Sequence, residues 1–245
     1  MRSSNKVLAA LLGTAFARPS PADSGDPIRI LPYSWQYEIT ALEGPGCPDF
    51  NSMEAYSTRP TFGSNTVDGS EIYYWHFAYP HIHLTVDGDN TPEASIWCET
   101  TLKYVELTKT GAPPEVPGYR LRLHKNGTSM IADYGLDEGV EATWTFTYDT
   151  DGKGKITDTI TVSGPRAPGT YTDISPSASP AGKTVQYPLP ECGVGTIKYR
   201  TELTVKATKK GAKGTVASEG VERDGRAQFY GIQQGVSYDW ERCAA

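Results

Sequence analysis

Between positions 197 and 206 the chain puts Ile197, Tyr199, Leu203 and Val205 on one parity and Lys198, Arg200, Glu202, Thr204 and Lys206 on the other. Successive side chains on a strand point to opposite faces, so this pattern specifies a half-buried antiparallel β-strand. Trp144, Phe146 and Tyr148 alternate in the same way with Thr143, Thr145 and Thr147, as do Ile156, Ile160 and Val162 with Thr157, Thr159 and Thr161. The turn-rich Asp149-Thr-Asp-Gly-Lys-Gly154 between these last two runs predicts a hairpin. Asn126-Gly127, between Arg120–His124 and Thr128–Ala132, predicts a second, tight hairpin turn. Gly164 to Pro190, rich in Pro, Ser and Gly, reads as a long crossover. No segment sustains an apolar period of three to four residues, so little helix is expected. The expected fold is all-β: a single antiparallel β-sandwich, or a closely related barrel, of about ten to twelve strands.

The N-terminus reads as an export signal. Arg2 and Lys6 precede an apolar run from Val7 to Phe16, too short to span a bilayer, and Ala15-Phe16-Ala17 supplies a small-x-small cleavage pattern. The expected organisation is a signal peptide over residues 1–17, a flexible leader over 18–32 and one sandwich domain over 33–245. All four cysteines, Cys47, Cys98, Cys192 and Cys243, fall in the domain, and an even count in an oxidising compartment implies two disulfides. Three pairings exist; the sequential one, 47–98 with 192–243, is favoured and closes two loops of equal span. No Cys-x-x-Cys pair suggests a zinc site. With 29 Asp and Glu against 23 Lys and Arg, the chain is acidic, which argues against nucleic acid as a partner.

Several residues in order carry a family resemblance: Gly46-Cys47-Pro48, Trp97-Cys98-Glu-Thr-Thr-Leu-Lys-Tyr, Ala132-Asp-Tyr-Gly-Leu-Asp-Glu-Gly-Val140, Val162-Ser-Gly-Pro165, Glu191-Cys192-Gly193 and Tyr238-Asp-Trp-Glu-Arg-Cys243. Together they resemble a secreted four-cysteine fungal family of unknown function, over roughly Ile39 to Cys243. The resemblance implies an extracellular disulfide-stapled sandwich with sequentially paired cysteines. It carries over no catalytic residues.

Chemistry-bearing side chains concentrate in Ile72–His83. His81 and His83, on one face of a strand, could join His76 as zinc or copper ligands, although the spacing fixes no further ligand. No cofactor is expected on the bulk of the sequence. Tyr73, Trp75, Phe77 and Tyr79 share a parity and form either half of the core or a stacking platform for sugar rings. Asp149, Asp151 and Asp158 resemble a calcium loop but lack its distal Glu, so a plain turn is the better reading. Lys206, Lys209, Lys210 and Lys213 make a local basic patch, and Asn126-Gly127-Thr128 is a glycosylation sequon.

No catalytic set is recognisable, and the reading leans away from an enzyme. The first functional reading is a secreted, monomeric, effector-like binding protein that engages, and can inhibit, an extracellular protein such as a host or environmental hydrolase or protease. The alternatives are a cell-wall or polysaccharide-binding module using the aromatic strand face, and a metal-assisted enzyme through His76, His81 and His83.

Overall fold

The computed structural model describes residues 31–48, 59–65, 72–79, 81–150, 155–175, 186–217, 219–223 and 226–244; for 59–65, 72–75, 125–126, 217, 219–223 and 226–233 the description is of the backbone alone. The expected signal peptide and nearly all of the leader lie outside these residues.

The described residues form fourteen strands: β1 (Ser34–Glu43), β2 (Arg59–Asn65), β3 (Ile72–Tyr79), β4 (Leu84–Asp87), β5 (Glu93–Leu107), β6 (Tyr119–Leu136), β7 (Val140–Asp149), β8 (Lys155–Ser163), β9 (Arg166–Ile174), β10 (Tyr187–Pro188), β11 (Val194–Ala207), β12 (Lys213–Ala217), β13 (Glu219–Arg223) and β14 (Arg226–Arg242). One five-stranded antiparallel sheet has the order β1-β5-β11-β7-β8. A nine-stranded sheet follows β2-β3-β14-β6-β12-β4, with β9 and β10 on β6 and β13 on β14. The fold is thus the all-β sandwich expected from the alternation, and no helix among the described residues is long and apolar enough to cross a membrane.

The two sheets meet through the apolar parities. Trp144, Phe146, Tyr148, Tyr199 and Leu203 from the five-stranded sheet join Leu121, Leu123, Met130, Tyr238 and Trp240 from the other in one buried cluster. Rings dominate one end of the cluster, where Trp35 and Trp240 lie 4.4 Å apart and Trp240 Nε1 donates to Tyr104 Oη at 2.9 Å. β7 and β8 pair antiparallel as the predicted hairpin requires, Trp144 facing Ile160 and Tyr148 facing Ile156 with the threonines on the outer face; residues 151–154 of the connection lie outside the described residues. Disulfides join Cys47 to Cys98 and Cys192 to Cys243, each across 51 positions.

Three expectations are corrected. Asn126-Gly127 is not a hairpin turn: both flanking halves belong to the single strand β6. Their common partner β14 runs straight past them, with Val236 opposite Thr128 and Tyr238 opposite Leu123. The surplus residues of β6 are taken up in a bulge, where His124 (φ 70°) and Gly127 (φ 74°) are left-handed and Ser237 Oγ donates to Gly127 O at 3.0 Å. Gly164–Pro190 is not wholly a crossover, since β9 and β10 both pair with β6. Their sequence hides this because β9 is exposed along most of its length and carries Pro168, which only an edge position tolerates. Finally, His81 and His83 are not on a strand: β3 ends at Tyr79, and His83 N–H donates to His81 O at 3.1 Å in the connection to β4.

Candidate functional site

The C-terminal part of β6 runs between two strands. Asp133 faces Thr170 of β9 on one side and Ala217 of β12 on the other; Leu136 faces Arg166 and Gly214. Tyr134 and Leu136 are buried, so by alternation Asp133 and Gly135 lie on the outer face, alongside exposed Lys213 and Thr215 of β12. In the middle of this row stands Gly135, opposite Thr215, at a register shift between β6 and β9. With no side chain there, a trough opens. It is a cleft of about 430 Å³, bounded by Arg166, Pro168 and Thr170 on one side and Lys213 and Thr215 on the other. A Cβ on Gly135 would come within 3.0 Å of Pro168 Cγ and 3.2 Å of Pro168 Cα, so any other residue closes the floor against that wall.

The polar groups of the cleft are held in place. Asp133 Oδ1 accepts from the Thr170 hydroxyl across the strand pair. Asp137 Oδ2 accepts the Lys213 N–H at 2.8 Å, and Lys213 O accepts the Asp137 N–H at 2.9 Å. Behind the cleft, on the inner face, Tyr134 stacks on Tyr171 with centroids 4.4 Å apart and donates to Asp173 Oδ2 at 2.9 Å. Burial, with Asp173 close by, pushes the Tyr134 hydroxyl pKa well up, so it remains a donor. The Arg166 guanidinium lies 5.9 Å from the Tyr171 ring centre. Fixed acceptors and hydroxyls around a glycine floor can hydrogen-bond a polyhydroxylated ring while its C–H faces rest on the floor.

The residues singled out from sequence fall elsewhere. Phe77 and Tyr79 are fully buried and offer no surface; Phe77 packs 4.6 Å from Tyr199. Tyr73 and Trp75 face Tyr238 and Val236 of β14 in register, and their side chains lie outside the description. His76 is half-buried, and desolvation lowers its pKa below 6.5. Among the described residues no three His, Cys, Asp or Glu converge in a metal-sized group, so His76, His81 and His83 are not brought together. Asn126 lies on the backbone of the β6 bulge. Of the basic patch, Lys206 pairs with Glu93 at 3.3 Å and Lys209 pairs with Glu138, while Lys213 lines the cleft.

A second polar assembly was invisible in the spacing. Asp158 of β8 points into the core, where its Oδ2 lies 2.8 Å from His124 Nε2 and accepts from Thr128 Oγ1 at 2.6 Å. Thr128 Oγ1 also lies 2.6 Å from Tyr148 Oη, which accepts from Gln234 Nε2 at 2.8 Å. Gln234 Oε1 in turn accepts from Thr201 and Tyr79. Every member is buried, so this chain of bonds ties the sheets together rather than meeting a ligand.

No family model matches the chain, and no curated protein matches it. Solved structures that align with it include the carbohydrate-binding module TmCBM61 with β-1,4-galactotriose, at 12% identity over 86% of this chain and 90% of that one, TM-score 0.19. A family 11 carbohydrate-binding module from Clostridium thermocellum, with a β-1,3-1,4-mixed-linked tetrasaccharide, aligns at 9% identity over 82% and 87%, TM-score 0.22. An exo-β-agarase aligns at 10% identity, 73% of this chain covering 22% of that one, TM-score 0.19. At these scores the likeness carries nothing about the cleft.

Proposed function

We infer that the protein is an exported, non-catalytic polysaccharide-binding module that seats sugar units in the cleft over Gly135. The observation that supports this reading is the glycine-floored trough itself, with Asp133, Thr170 and Thr215 on its walls. Its volume of about 430 Å³ lies within the range typical of small-ligand sites, roughly 300–1,000 Å³. A bare floor between polar walls suits a flat ring of alternating hydroxyl and C–H groups better than it suits a protein surface. This moves the polysaccharide reading away from the aromatic strand, where Phe77 and Tyr79 are closed off in the core.

The test is Gly135→Val. It fills the floor against Pro168, which must give by a few tenths of an ångström, so near-UV circular dichroism and melting first establish that the variant keeps the wild-type fold. Retention on insoluble β-glucan, galactan, pectin and chitin, with oligosaccharide titration by calorimetry, is expected to show binding by the wild type and none by the variant. Thr159→Ala, on the outer face of the five-stranded sheet, serves as the unaffected control. Equal binding by Gly135→Val and wild type sinks the assignment of the cleft.

A further inference from the structure

We propose that the loop between β5 and β6 is a protease-binding loop, whose Val116 enters the specificity pocket of a serine endopeptidase that selects small aliphatic side chains. The proposal is independent of the polysaccharide reading, since this loop lies at the end of β6 remote from Gly135. Val116 is 85% exposed, more than any other large hydrophobic residue among those described. Around it lies further apolar surface. Tyr33, also exposed, precedes Ser34, which faces Leu107, and exposed Val194 faces Val105. Three of the four exposed large hydrophobic residues thus gather at one end of the molecule, around one loop.

The tip is free and its ends are fixed. Residues 113–117 read Pro-Pro-Glu-Val-Pro, and among the described residues none of their backbone groups is hydrogen-bonded. The preceding turn is closed by Thr108, whose N–H and hydroxyl both donate to Ala112 O, at 2.8 and 2.9 Å. On the far side the buried Glu106 carboxylate accepts the Gly118 N–H at 3.4 Å and the Tyr119 N–H at 3.1 Å. Gly118 O accepts the N–H of Cys243, which is bridged to Cys192. Pro117 rests on left-handed Gly193, where a Cβ would come within 2.5 Å of its ring. Prolines fix φ within the segment and the disulfide corner fixes its base, so little ordering remains to be done on binding.

A peptidase reads such a segment through its main chain, by pairing with unpartnered N–H and C=O groups, and selects it through the side chain in its specificity pocket. Glu115 and Val116 supply the free N–H groups, and Val116 supplies the side chain. The bond that follows Val116 leads to the nitrogen of Pro117, which bears a ring in place of hydrogen and makes a poor site of cleavage. The loop therefore presents the recognition features of a substrate and resists hydrolysis, which makes it inhibitory.

Inhibition assays with pancreatic elastase, subtilisin, chymotrypsin and trypsin test this. Wild-type protein is expected to inhibit elastase with a constant of about 1 μM or tighter and to leave trypsin untouched. Val116→Asp puts a charge into an apolar pocket and is expected to weaken inhibition about a hundredfold or more. Val116→Lys is expected to move inhibition from elastase to trypsin, and Pro117→Ala to open the 116–117 bond to cleavage by elastase, read by mass spectrometry. Ile174→Asp, exposed on β9, serves as the unaffected control. Inhibition unchanged in Val116→Asp, no inhibition of any of the four enzymes by wild type at about 0.1 mM, or prompt cleavage of the wild-type loop overturns the proposal. Each of these outcomes leaves the polysaccharide reading untouched.

Discussion

His124 Nε2 lies 2.8 Å from Asp158 Oδ2 between the two sheets, with both side chains almost wholly out of water. The same oxygen accepts from Thr128, so a single carboxylate on β8 anchors the bulge of β6. Asp158→Ala removes this acceptor and strands buried polar groups on the opposite sheet. Breaking one partner of a buried pair costs about 3–5 kcal/mol, so urea denaturation should show a lower midpoint by that amount with little change in slope. A loss under about 1 kcal/mol would mean the network is not the tie between sheets.

This tie also shows where the sequence stops being legible. The strands that alternate cleanly, β7, β8 and β11, are those with one face in the core and one in solvent, so their period is visible. In β6, Asn126-Gly127 carries the local chemistry of a reversal, but β14 pairs with both sides of it and turns the reversal into a bulge. That choice is made by a partner more than a hundred positions away. The cleft is hidden for the same reason. Asp133, Gly135 and Asp137 alternate with buried Tyr134 and Leu136, a legible outward row, but nothing in spacing says that 166–170 and 213–215 become its walls. The aromatic stretch at 73–79 has the rings of a stacking platform, but in Phe77 and Tyr79 their size serves packing.

The two disulfides close loops of equal span, 51 positions, so the chain-entropy account gives each about 4 kcal/mol of stabilisation. Their surroundings differ. Cys47 and Cys98 are buried, while Cys192 and Cys243 are half-exposed. Under mild reductant, exchange needs access to sulfur, so 192–243 should open first. Timed alkylation followed by peptide mass spectrometry reads the order; simultaneous or reversed opening contradicts it.

His76 introduces a pH dependence. Desolvation lowers its pKa in the fold from 6.5, so the folded protein resists a proton that the unfolded chain accepts. The neutral-histidine contribution is fully present above about pH 6.5 and is lost as pH falls through the lowered folded value. His76→Gln has no proton to take up. Its urea midpoint should therefore gain on that of the wild type between pH 7.5 and pH 5, and parallel profiles would show that burial of His76 is energetically silent.

Phe77 separates packing from recognition on the aromatic strand. Its ring is fully buried, 4.6 Å from Tyr199 and 6.3 Å from Tyr79, on the inner face, whereas the cleft over Gly135 opens outward. Truncating a buried phenylalanine to alanine costs about 3–5 kcal/mol, through lost burial and the cavity left behind. Phe77→Ala should accordingly melt well below the wild type. Assayed at a temperature where it remains folded, it should retain polysaccharide as the wild type does, because no group of the cleft touches that ring. A variant with wild-type melting and lost retention would return the strand face to service as the sugar platform and take the cleft out of that role.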